Sequence, residues 1–115
     1  MTVELINERT QARVASGVEL ATTRRERRKG LLGRDSLDET AAIVIAPCFA
    51  VHTAFMRFPI DVAFVDKFGR AVRIVRDLQP WRMAASARAW GVIEFPAGRL
   101  KACGVEVGDR LYLSC

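Results

Sequence analysis

The chain has 115 residues, 50% of them hydrophobic and 27% charged, with a net charge of +5 and a pI near 9.7. That length holds one hydrophobic core, so residues 1–115 are read as a single domain. The apolar runs are too short to span a bilayer, and the acidic start "MTVELINERTQ" has neither the basic end nor the apolar stretch of a secretory leader.

In chain order, residues 1–9 and 12–22 read as extended segments. At "TRRERRKGLLG" the pattern turns helical: Thr23 followed by Glu26 is a capping box, and Gly33 suits a left-handed stop. Apart from Leu31 and Leu32 this helix is charged, so only its end is expected to be buried. Six basic residues crowd between Arg24 and Arg34, part of an excess of 15 arginines over 3 lysines. Such a patch suits phosphate, but no aromatic residues interleave with it as a stacking platform requires. A solvated face is therefore expected here, not a nucleic-acid site.

After the polar loop "RDSLDET", the β-branched run "AAIVIAP" is a buried strand ended by Pro47. "IDVAFV" and "AVRIVR" then form a hairpin about "DKFG", with Asp66 opening the turn and Gly69 at the position needing positive φ. A type I turn with a bulge at Gly69 sets Phe64 opposite Val72, Val62 opposite Ile74 and Ile60 opposite Arg76. That register makes Arg73 a diagonal neighbour of Asp61. "SARAWGVIEF" reads as a further strand with a bulge at Gly91, and "PAGRLKACG" as a short helix with Pro96 near its first turn and Gly104 as its cap. "GVEVGDRLYL" closes the chain with a turn at Gly108-Asp109 and a last strand. The expected fold class is α+β, mainly β: a curled antiparallel sheet forming a small barrel or half-barrel, with two short helices.

Candidate chemistry centres on His52, the single histidine. With Cys48 four residues before it and Asp61 nine after, it suggests a thiol- or histidine-dependent enzyme as an alternative reading. Against that, Cys48 follows Pro47 in an apolar setting where a thiol is usually inert. Asp61, among Ala63, Val65 and Val75, is expected to be a buried structural carboxylate held by Arg57, Arg73 or backbone amides. Imidazole and thioether at His52 and Met56 suit copper, yet no paired cysteine or histidine unit accompanies them, so neither metal nor cofactor is expected. Cys48, Cys103 and Cys115 are odd in number and irregularly spaced, which points to free thiols and a reducing, cytoplasmic location.

The remaining signal is a binding surface: Arg34, His52, Arg57, Trp81 and Arg82, with the last two in the Pro-punctuated loop "DLQPWR". Guanidinium groups recognise anions and Trp anchors interfaces. The expected partner is a protein or a small anionic ligand, with no membrane contact, and the chain is expected to be a monomer or weak homodimer.

Three blocks of the sequence carry a resemblance. The first supplies Gly30, Leu31, Gly33, Arg34 and Leu37; the middle one His52, Thr53, Met56, Ile60, Asp61, the Asp66–Gly69 turn and Pro80. The last supplies Glu94, Ala97, Gly98, Gly104, Gly108 and Asp109. Over roughly 20–115 the chain resembles the bacterial and archaeal domain family of unknown function DUF192. The resemblance implies a small, mostly β domain with no assigned activity, cofactor or substrate. Without catalytic machinery to carry over, the expected role is an accessory or binding module.

Overall fold

The structure is a computed structural model that describes residues 3–29, 31 and 33–115. The expectations for Gly30 and Leu32, and for the side chains of Arg28 and Lys29, lie outside the described residues. The elements are β1 (Glu4–Asn7), β2 (Arg13–Ala15), β3 (Gly17–Ala21), α1 (Arg24–Lys29), β4 (Ala41–Ile45), β5 (Ala50–His52), β6 (Ile60–Val65), β7 (Ala71–Leu78), β8 (Met83–Ala85), β9 (Gly91–Pro96), α2 (Arg99–Ala102) and β10 (Leu111–Ser114). They build a five-stranded sheet in the order β3-β4-β9-β6-β7, a three-stranded sheet β10-β1-β2 and a ribbon β5-β8. The class is mainly β with two short helices, as expected, but the barrel does not form. The five-stranded sheet keeps β3 and β7 as separate edges, and β3 pairs with β4 in parallel.

Patterning explains the layers. In β9, Ile93 and Phe95 turn to one core with Leu5, Leu100 and Leu111, and Val92 turns to a second core with Ile43, Met56 and Phe64. β6 divides in the same way, Ala63 and Val65 to the first core and Ile60, Val62 and Phe64 to the second. A central strand with a core on each face is buried along its whole length, and all six residues of β6 are.

The hairpin turn is as expected: the Asp66 carboxylate accepts the N–H of Phe68 (2.9 Å) and Arg70 (3.0 Å), and Gly69 has φ +87°. Its register is not. Val65 faces Ala71, but Phe64 then faces Arg73 and Val62 faces Val75, with irregularities at Phe64/Val65 and Ile60/Val62. β6 pairs without interruption to β9 on its other side, so the edge strand β7 absorbs the extra residues as bulges. Arg73 is thereby carried away from Asp61, and its guanidinium donates to the Ala85 carbonyl.

Other boundaries moved as well. The segment 12–22 breaks at Ser16 into β2 and β3, which belong to different sheets. Residues 86–90 form a turn rather than a strand. Strand β9 begins at Gly91 without a bulge in its pairing to β6, and a Cβ at Gly91 would stand 3.3 Å from the Ala46 side chain. The capping box of α1 is present, with Glu26 N–H on the Thr23 hydroxyl and Thr23 N–H on the Glu26 carboxylate, both 3.1 Å.

Asp109 ties the two ends of the chain together. Its buried carboxylate accepts from Asn7 Nδ2 (2.8 Å), Arg9 Nε (2.7 Å) and the Glu106 N–H (2.9 Å). The Arg9 hydrogen bond is the main reason its pKa is pulled down to about 2.

Candidate functional site

The ribbon β5-β8 and the turns that leave it were not foreseen, and they carry the site. Val51 and Ala84 face each other and pack on the second core, so the alternating partners His52 and Met83 point outward, opposite one another and exposed. Directly after β5, Thr53 is fully buried and stitches two turns together. Its N–H donates to the Arg82 carbonyl (2.8 Å) and its carbonyl accepts the Trp81 N–H (3.0 Å). Its hydroxyl donates to the Gln79 carbonyl (2.6 Å) and accepts the Arg82 N–H (2.8 Å).

This clamp holds Phe55 and Trp81 in a backbone conformation that residues with a Cβ avoid: both have φ +65°. Their rings touch, with centroids 4.6 Å apart and planes tilted by 59°. Neither ring is covered, Phe55 being 72% and Trp81 60% exposed. Arg57 follows Met56 in the turn pinned by Thr53, and the Arg82 guanidinium reaches the Trp81 carbonyl at 3.3 Å. Arg57 also pairs with Asp35 on the surface.

Of the five expected binding residues, Trp81 is half of the ring pair and Arg82 adjoins it, while His52 lies in the ribbon opposite Met83 and Arg57 in the turn after Met56. Arg34 does not join them. Its guanidinium grips the Glu19 carboxylate in two-pronged fashion at 3.2 and 2.7 Å, over the five-stranded sheet. Phe55 escaped the sequence reading. A lone Phe in a loop reads as core filler, and only its left-handed backbone and its contact with Trp81 mark it out.

The enzyme alternative finds no assembled site. Cys48 Sγ donates to the Ala50 carbonyl (3.1 Å), and Asp61 is fully buried with its oxygens on the N–H groups of Asp77, Gly98 and Leu100. No hydrogen bond joins Cys48, His52 and Asp61 among the described residues. The copper pairing fails on burial: Met56 is 6% exposed inside the second core, whereas His52 points to solvent. Among the described residues no group of three or more His, Cys, Asp or Glu could hold a metal ion.

Cys48, Cys103 and Cys115 are all free. Titration of unfolded, unreduced protein is expected to find three thiols per chain, and in the folded protein the exposed Cys115 should react first. Fewer than three would mean that a bridge forms, within or between chains.

One buried carboxylate was not singled out for its chemistry. Glu94, in the middle of β9 between Ile43 and Val62, is 4% exposed. Burial pushes its pKa up to about 7, against a smaller opposing pull from Arg34.

The DUF192 family, described as "Uncharacterized ACR", matches residues 5–113. A UPF0127 protein of Pyrococcus furiosus is 43% identical over 63 residues, which is 54% of this chain and 53% of that protein. In that match the chain spans about half the length of the relative. A UPF0127 protein of Pyrococcus abyssi is 34% identical over 113 residues, covering 93% of this chain and 94% of the other. A crystal structure of a protein of unknown function from Novosphingobium aromaticivorans superposes with a TM-score of 0.82 at 22% identity, covering 97% of this chain and 84% of that one. That likeness bears on the fold alone. Among the described residues no helix is long and apolar enough to cross a membrane.

Proposed function

The chain belongs to the DUF192 family, and from that premise we propose that it is a cytoplasmic binding module without catalysis of its own. Its recognition surface is the Phe55–Trp81 pair flanked by His52, Arg57 and Arg82. The observation that carries this reading is the paired strain. Two touching aromatic residues both sit in the left-handed region, at a cost of order 1–3 kcal/mol each, and both remain exposed. The Thr53 clamp holds the backbone in place, but burial does not offset the exposure of the rings, and a partner that covers them would. Trp and Arg are the residues that most often anchor interfaces, and a preformed platform loses little entropy on binding.

Arg82, with no anionic partner among the described residues, favours a partner protein with an acidic segment that carries an apolar side chain for the ring pair. A peptide-display screen on the folded protein is expected to enrich such sequences. Their affinity should fall at least about tenfold in Trp81→Gly and Phe55→Gly. The same variants should stay within about 1 kcal/mol of the parent in stability, because glycine relieves the positive φ while the ring contact is lost. No enrichment, or peptides that bind both variants as well as the parent, would sink the reading.

A further inference from the structure

A second site lies away from the aromatic pair, where the three-stranded sheet meets the hairpin end of the five-stranded one. A cavity of about 330 Å³ opens there, floored by Leu5, Val65, Ile93 and Leu111 of the first core. Phe68 and Trp90 stand at its mouth, 67% and 52% exposed. The walls are fixed before any ligand arrives. The Leu111 N–H donates to the Gly69 carbonyl (2.8 Å) and the Trp90 N–H to the Val65 carbonyl (2.8 Å). At Gly69 the packing is so close that a Cβ would stand 2.3 Å from the Leu111 carbonyl oxygen. An apolar, preformed cavity of this size with a few polar groups at its rim is the usual form of a small-molecule site.

The rim charges decide the ligand. The Asp66 carboxylate is occupied by the turn amides of Phe68 and Arg70. Arg110 is matched by Glu8 at 2.8 Å and donates to the Phe68 carbonyl at 3.0 Å. Lys67 has no anionic partner among the described residues, and its ammonium lies 5.4 Å from the Phe68 ring centroid. One unmatched cation thus remains at the mouth of an apolar cavity.

We propose that this cavity binds a small amphipathic anion, with its hydrocarbon body on Leu5, Val65, Ile93 and Leu111 and its carboxylate-like head at Lys67. The size admits a single ring or a short chain and leaves no room for a dinucleotide. The site uses neither Phe55 nor Trp81, so it stands whether or not the platform binds a partner.

The chain has two tryptophans, so Trp81→Phe leaves Trp90 as the sole reporter, and octanoate and octan-1-ol serve as probes. Octanoate is expected to change Trp90 emission saturably at one site per chain. Lys67→Gln should weaken octanoate by about tenfold and leave octan-1-ol within about twofold. Lys67 is on the surface, so this variant folds as the parent does. Absence of a saturable response would overturn the proposal. So would an octanoate affinity unchanged by Lys67→Gln, or one that falls in step with that of octan-1-ol.

Discussion

Replacing Asp61 by alanine is expected to destabilise the fold by roughly 2–4 kcal/mol. The side chain is fully buried, and its oxygens accept the N–H of Asp77 at 2.9 Å and those of Gly98 and Leu100 at 3.1 Å each. These donors have little else. Asp77 sits in a bulge of β7 with φ +53°, which turns its N–H inward. Gly98 caps α2 with no side chain to satisfy the first amides of the helix, so the carboxylate of β6 acts as the missing cap. Leu100, which α2 delivers to the first core, is itself fully buried. Removing the carboxylate leaves the Leu100 amide without a partner inside the first core and takes away the acceptor of the Asp77 and Gly98 amides at its edge. Asp61→Asn should cost nearly as much, because its amide nitrogen would confront donors. Urea denaturation of both variants measures this, and an Asp61→Ala midpoint equal to the parent's would refute it.

Glu94→Gln is expected to act in the opposite direction, and only as pH rises. The folded-state pKa lies near 7, raised by burial from an ordinary 4.5. Below about 4.5 the carboxyl is neutral in both states, and its contribution to stability is fully present. Between 4.5 and 7 the unfolded chain ionises while the folded one holds its proton, so folding loses stability until the folded carboxyl ionises too. The loss over that window is roughly 3 kcal/mol. The pKa near 7 already includes the weaker pull of Arg34, whose guanidinium is held by Glu19. Denaturation at pH 5 and pH 8 should therefore show the parent losing roughly 2–3 kcal/mol relative to Glu94→Gln. Parallel pH profiles for the two proteins would show that Glu94 ionises in the fold as freely as in the unfolded chain.

Features set within a few residues were legible in the sequence. The capping box at Thr23 and Glu26, the Asp66–Gly69 turn, the apolar strand at Ala41–Ile45 and the burial of Asp61 among apolar neighbours needed no knowledge of the rest of the chain. The exposure of Trp81 and Arg82 was also legible, because arginine and tryptophan in a Pro-punctuated loop are rarely core.

What depended on distant partners did not emerge from the sequence. The register of the hairpin was set by β9, which is far along the chain yet holds β6 along its whole length and pushes the irregularities into β7. The ribbon β5-β8 joins two strands of three residues, too short to show alternation, and exists because Val51 and Ala84 find the second core. Phe55 became a surface residue only when Thr53 tied its turn to that of Trp81, and Glu94 became a carboxylate under strain only when two apolar strands closed around it. The sequence by itself determined the mainly β class with two short helices, the Asp66–Gly69 turn, the Thr23–Glu26 capping box, and that Asp61 belongs inside. Which sheet faces which core, where the sheet stays open, and which aromatic rings are held out to solvent were decided by tertiary pairing. The physical reason is that hydrogen-bond registers and burial are properties of contacts between segments, which no local pattern encodes.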